Sequence, residues 1–129
     1  MKFRIAILAL LVFSITSCLK TKTEGVMVLN PENFEHKMES SDFQLVDVRT
    51  PEEFSEGHIP NAINININGN DFVSETSKLD KNKPVMVYCK MGGRSAKAAS
   101  SLKEHGFKDI SDLDGGITSW KEAGKIIEN

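Results

Sequence analysis

Four consecutive apolar residues, Val85-Met86-Val87-Tyr88, end at Cys89, and the chain then passes through Lys90-Met91-Gly92-Gly93 into Arg94-Ser95. With no polar alternation, such a run suits a strand buried on both faces of a parallel sheet. Cys89 then stands at the carboxyl end of that strand, where open α/β sheets place their ligands. Gly92 and Gly93 allow the positive φ that a sharp turn needs. Beyond the turn, Ala98, Ala99 and Leu102 share one face of a helix expected from about Arg94 to His105, with Gly106 as its left-handed stop. Small residues on that face let the helix lie close to the sheet.

The same stretch carries chemistry. Six consecutive backbone N–H groups, Lys90 to Ser95, can curl around the Cys89 sulfur, and none is lost to proline. With the positive end of the helix dipole they form an anion nest, and Lys90 and Arg94 strengthen its field. Thiols at helix N-termini beside basic residues ionise well below the usual ~8.5. Cys89 is therefore expected to be a reactive thiolate rather than an inert core cysteine.

Cys89, four residues, then Arg94-Ser95 resembles the active-site loop of single-domain rhodaneses, which are sulfurtransferases. Further segments agree in order: Asp47-Val48-Arg49 with Glu53-Phe54, Gly57-His58-Ile59-Pro60 running into Asn61-Ala62-Ile63-Asn64-Ile65, and Leu113-Asp114-Gly115-Gly116-Ile117 with Trp120. The resemblance implies an α/β rhodanese-like domain over residues 26–129, a five-stranded, mostly parallel sheet with helices on both faces. It makes Cys89 the catalytic residue, and Lys90, Met91, Gly92, Gly93, Arg94 and Ser95 the loop that binds substrate and persulfide. The aspartate and arginine matching Asp47 and Arg49 are mainly structural in this family. Asp47, Arg49 and Glu53 are accordingly read as a salt-bridged brace, and His58 as a packing and hydrogen-bonding group.

The rest of the chain fits an alternating pattern of strands and helices. Val26 to Leu29 is a first strand, and Asn30-Pro31 caps a helix ending near Ser40 with Phe34 and Met38 inward. Phe43 to Val48 is a second strand. Thr50-Pro51-Glu52-Glu53 is a capping box for a short helix stopped at Gly57. Ala62 to Ile65, a helix from Asp71 to Leu79, a strand Ile110 to Leu113 and a helix Ile117 to Ala123 complete the set. Trp120 is expected in the core or a pocket wall, and His36 and His105 on helix surfaces.

The implied reaction is a double displacement. The Cys89 thiolate takes the outer sulfur of a donor such as thiosulfate, sulfite leaves, and a thiol or cyanide removes the sulfur from the persulfide. Lys90 favours a sulfonate-like donor over mercaptopyruvate. No cofactor or metal is implied, since there is no zinc-spaced Cys or His, no Walker sequence and no dinucleotide fingerprint. Cysteine phosphatases and arsenate reductases hold an anion over a thiolate in a similar loop, but with five residues between Cys and Arg. The four here make a tighter cradle, sized for sulfur. A rhodanese-like domain can also serve as a non-catalytic binding or redox-sensing module, and such domains often lack the cysteine.

The amino terminus differs from everything after it. Lys2 and Arg4 precede an apolar run from Ile5 to Phe13, and Ser14-Ile15-Thr16-Ser17 leads to Cys18. Residues 1–17 read as a secretory signal, too short to span a bilayer comfortably at ~20 residues per helix. Ile15-Thr16-Ser17-Cys18 resembles a bacterial lipobox, which implies cleavage before Cys18 and its lipidation. Residues 18–25 are then the lipidated cysteine and a tether, Leu19 to Gly25, that reaches at most about 25 Å at ~3.3–3.6 Å per residue. The protein is expected in the bacterial cell envelope, anchored to a membrane and facing the periplasm. Removing 17 residues, two of them basic, from 129 leaves 112, with 14 Lys and Arg against 18 Asp and Glu, a net charge of −4. That balance excludes a nucleic-acid partner read from a basic stripe. Cys89 would be the one thiol left, in a compartment that oxidises thiols. Globomycin treatment of expressing cells should accumulate the full-length precursor; normal processing, or a mature product without lipid, would refute the lipoprotein reading.

Overall fold

The computed structural model describes residues 24–129. The expected signal segment, Cys18 and most of the tether lie outside the described residues. Ten elements alternate: β1 (Val26–Leu29), α1 (Pro31–Ser40), β2 (Gln44–Asp47), α2 (Pro51–Glu56), β3 (Ile63–Asn64), α3 (Phe72–Thr76), β4 (Val85–Tyr88), α4 (Gly93–Glu104), β5 (Ile110–Leu113) and α5 (Gly116–Glu122). The strands form one sheet in the order β1-β5-β4-β2-β3, and every pairing in it is parallel. β4 lies in the middle and is buried along its whole length.

Local chemistry accounts for the helix starts. Asn30 accepts the Asn33 N–H at 2.9 Å and Pro31 follows as the first helical residue of α1. Thr50 and Glu53 close a reciprocal capping box at α2. Alternation of side chains along the strands then divides the core in two. On one face Val46, Val48, Val85, Val87 and Ile110 pack beneath Ala98, Ala99 and Leu102 of α4. On the other, Leu45, Met86, Tyr88 and Leu113 meet Phe34 of α1 and Ile117 and Trp120 of α5. Phe34 and Trp120 stack edge to face at 6.3 Å.

Three elements are shorter than the sequence suggests, β2 by one residue at each end of Phe43 to Val48. β3 is an edge strand of two residues, not Ala62 to Ile65, because the Asn64 side-chain amide takes the Asp47 and Arg49 carbonyls at 3.0 and 2.9 Å. α3 stops at Thr76 rather than Leu79: the Thr76 hydroxyl bonds back to the Phe72 carbonyl at 2.8 Å, and Asp71 makes no side-chain cap.

Two ionic ties fix the strand ends near Cys89. Asp47 is fully buried and receives Arg49 Nε at 2.9 and 3.1 Å, Nη2 at 2.7 Å and the Arg49 N–H at 3.0 Å. Arg49 Nη2 also donates to the Gly57 carbonyl at 2.7 Å, joining β2 to the end of α2. The Tyr88 hydroxyl hydrogen-bonds Asp47 and accepts the Ile59 N–H at 3.0 Å; burial, with the Asp47 charge beside it, pushes the phenol far above its ordinary range. Glu53 does not join this brace. Its carboxylate receives Arg94 as a fork, Nη1 at 2.7 Å and Nη2 at 2.9 Å, and so ties α2 to the first turn of α4. The Arg94 hydrogen bonds hold Glu53 down at about 2, well below its ordinary 4.5.

Tyr88→Phe should keep the fold but leave the buried Ile59 N–H without its acceptor, costing about 1–3 kcal/mol in urea unfolding; an unchanged midpoint would contradict the brace. For Glu53 the folded pKa is lowered, so its stabilisation is present above about 4.5 and lost as pH falls toward about 2. Glu53→Gln should therefore be less stable than wild type by about 1 kcal/mol at pH 7, a partly exposed pair being worth no more. The two should converge near pH 2, and a gap independent of pH would show that the ion pair is not its source.

Candidate active site

β4 delivers Cys89 to the carboxyl edge of the sheet, and Asp47 ends β2 alongside, in register with Tyr88. The Cys89 sulfur accepts the Gly92 N–H at 3.0 Å, and the thiol lies 3.4 Å from the Ser95 hydroxyl as its donor. Ser95 Oγ also reaches the Gly92 carbonyl at 3.2 Å. Gly92 caps α4 at φ +119, a conformation L side chains rarely adopt, which is why the turn takes glycine there. Of the six amides expected to face the sulfur, the hydrogen bond recorded comes from Gly92. Cys89 is 1 % exposed and Ser95 is fully buried.

The mouth of the loop is unlike its floor. Lys90 and Met91 are exposed, Met91 by 70 %. A Cβ built on Gly92 or Gly93 meets no heavy atom within 4 Å, so open space lies over both glycines. Arg94 has both of its terminal nitrogens on the Glu53 carboxylate. It still acts on Cys89 through its charge. His58 is held away from any role as a base: its Nδ1 pairs with the Phe54 carbonyl at 3.0 Å, its ring stacks on Phe54 at 3.8 Å, and Nε2 faces Glu128 at 3.6 Å. Trp120 is buried, with Nε1 donating to the Ile126 carbonyl, and lines a separate groove of about 260 Å³ with Met38, Phe43 and Ile59. His36 and His105 are exposed on α1 and after α4.

Two features escape a reading of the sequence by residue type. The first is the hold that α5 has on the loop. Ile117 and Thr118 N–H groups donate to the Cys89 and Lys90 carbonyls at 2.9 and 3.1 Å. A Cβ on Gly116, at φ +61, would stand 2.5 Å from those carbonyls, so only glycine fits. The adjacent glycines before an apolar helix were the available signal. The second is Asp112, in the middle of β5, 5 % exposed, with Oδ1 buried and without a hydrogen-bond partner. The Ser95 hydroxyl and the Leu113 backbone engage its carboxyl, but desolvation dominates and raises its pKa to about 6. An acid inside a run that otherwise reads as a buried parallel strand is the signal for it.

Comparison with known proteins follows the same outline. The model of the rhodanese-like domain family matches residues 30–123. Thiosulfate sulfurtransferase GlpE of Shewanella oneidensis is 38% identical over 85 residues, which are 66% of this chain and 82% of that protein. A tRNA uridine(34) hydroxylase of Aster yellows witches'-broom phytoplasma is 36% identical over 104 residues, 78% of this chain but 33% of that protein, so the chain spans about a third of its length. Among solved structures, a rhodanese-related protein from Thermoplasma volcanium superposes with a TM-score of 0.70 at 32% identity, over 79% of this chain and 97% of that one. With the five-stranded parallel sheet, the cysteine at the end of its central strand and the family match running from α1 into the last helix, the chain belongs to the rhodanese-like domain family.

Proposed function

We propose that this protein is a sulfurtransferase of the thiosulfate sulfurtransferase type, working through a Cys89 persulfide. The observation that carries the reading is the Cys89 sulfur at the carboxyl end of β4, bonded by the Gly92 N–H at the start of α4. Relatives named thiosulfate sulfurtransferase and sulfurtransferase support the general class. In the first half-reaction the Cys89 thiolate attacks the outer sulfur of thiosulfate. The S–S bond of the donor breaks, sulfite departs with its electron pair, and a persulfide forms. In the second, a thiolate or cyanide attacks that outer sulfur and returns Cys89 as thiolate. No net oxidation of the protein is needed, and no cofactor or metal enters.

The loop acts electrostatically. The Gly92 N–H and the start of α4 stabilise negative charge on sulfur in both halves of the cycle. Lys90, exposed at the mouth, draws in a small anionic donor, while Arg94 contributes charge from its position on Glu53. Ser95 orients the sulfur from below, and Met91 offers an apolar contact to the acceptor. Asp47 and Arg49 support the strand ends without touching substrate. The working location is the periplasmic side of a bacterial membrane, held there by lipid on Cys18, and nucleic acid is not a partner.

Intact mass of the reduced protein before and after thiosulfate, followed by cyanide, tests the cycle. The wild type should gain one sulfur atom and lose it to cyanide, and Cys89→Ser should gain none. Initial-rate kinetics should be ping-pong. No sulfur uptake from thiosulfate or from polysulfide would instead make the domain a non-catalytic binding or sensing module, and turnover of an aryl phosphate would favour the phosphatase alternative.

A further inference from the structure

Arg94 is the second residue of α4, and it stands between the two residues that touch the sulfur. Gly92 before it donates its N–H to Cys89 Sγ at 3.0 Å, and the Ser95 hydroxyl after it lies 3.4 Å from that atom. A guanidinium is a planar fork of N–H donors that fits two oxygens of a carboxylate, a phosphate or a sulfonate alike. At the start of a helix, beside the reactive sulfur, such a fork is the strongest grip on an oxyanion that the loop possesses. It is already in use. Both terminal nitrogens are on Glu53, Nη1 to Oε1 at 2.7 Å and Nη2 to Oε2 at 2.9 Å.

The holder is itself held. Glu53 closes the capping box of α2 with Thr50, whose hydroxyl bonds Oε1 at 3.1 Å, and Thr50 follows directly on Arg49, which is bound to Asp47 at the end of β2. The carboxylate is thus set in place from the sheet edge and not by Arg94 alone. It stays ionised far below neutral pH, since the Arg94 hydrogen bonds keep its pKa at about 2. An oxyanion reaching for Arg94 must displace a charged, prepositioned competitor of the same geometry. Lys90, the loop's other cation, offers no substitute. It is exposed, and an ammonium attracts an anion as a point charge without a bidentate grip.

In the first half-reaction of the proposed cycle a sulfonate group arrives as part of the donor and leaves as sulfite. A fork that gripped both equally would tighten donor binding without speeding the transfer, and it would retain the product. We propose that Glu53 is a specificity-determining positioning residue: by occupying the Arg94 fork it keeps the Cys89 loop from gripping free oxyanions, so that sulfite leaves and phosphate-like anions do not settle over the sulfur. Loop length is then not the only feature that separates this site from a phosphatase. The second is an acid on α2. This inference rests on the proposed sulfur-transfer cycle and deepens it.

The test is titration of the reduced full-length protein with inorganic phosphate, and separately with sulfite, at neutral pH and constant ionic strength, followed by the nuclear magnetic resonance signal of the Gly92 amide. Wild type should bind both anions weakly, with Kd above about 1 mM. Glu53→Gln keeps an acceptor for Thr50 but loses the charge, and its Kd should fall at least about tenfold, as expected when charge-assisted hydrogen bonds become available. In the double variant Glu53→Gln with Arg94→Gln the gain should vanish, because it acts through the fork. Glu52→Gln makes the same charge change on the exposed neighbouring residue and should stay within about twofold of wild type. A Glu53→Gln variant that binds no tighter, as a merely structural tie would give, overturns the proposal. So does a gain that survives loss of Arg94 or that Glu52→Gln reproduces. A wild-type Kd below about 1 mM overturns it whether or not the variants fold. The titration involves no sulfur donor, so its failure and a failure of sulfur uptake from thiosulfate are separate results.

Discussion

The approach of α5 to the cysteine loop is the contact on which the site depends. Ile117 and Thr118 bind the carbonyls of Cys89 and Lys90, and they can do so only because Gly116 presents no side chain at 2.5 Å. A trans peptide is planar, with its N–H opposite its carbonyl. Fixing those two carbonyls toward α5 therefore turns the Lys90 and Met91 N–H groups the other way. The loop's polarity is set from outside the loop, by a glycine 27 residues further along the chain than Cys89. Any side chain at Gly116 would push the two carbonyls back and leave the strand end unsupported.

The charged residues divide the labour in a way that their order along the chain hides. Asp47, Arg49, Glu53 and Arg94 could pair in several combinations. The structure pairs Asp47 with Arg49 inside the sheet edge and Glu53 with Arg94 at half-exposed positions. The first pair is buried and satisfied by further bonds to Gly57 and Tyr88, which is the condition under which a buried ion pair is tolerable. The second leaves Arg94 anchored, so the start of α4 is held to α2 and the guanidinium acts on the sulfur by field alone. An arginine so fixed gives a standing potential rather than a mobile finger, which suits the proposed cycle, where charge on sulfur is stabilised in both halves.

Most of the architecture was legible because it rests on signals of short range. The apolar run Val85 to Tyr88, the Asn30-Pro31 start and the Thr50 to Glu53 box each declare a local structure, and β4, α1 and α2 fall where those patterns put them. Cys89 with Gly92 was legible for the same reason. What failed involved partners distant in sequence. The pairing of Arg94 was hidden because Glu53 lies 41 residues earlier. β3 looks like a full strand until Asn64 takes two carbonyls of its neighbour. Asp112 looks like an ordinary acid in a strand, and only the sheet order, with β5 between β1 and β4, shows that it is buried with no cation among the groups acting on it.

Burial of the sulfur bears on how such a site withstands oxidation. A free thiolate reacts in proportion to its exposure, and Cys89 is 1 % exposed. On the proposed cycle the atom that is transferred is not this one. The outer sulfur of a persulfide stands about 2 Å further out, one S–S bond along. The inner sulfur can then remain under its amide while the outer one meets the acceptor. A site built this way separates the group that must be protected from the group that must be reached, and it does so with the length of a single bond.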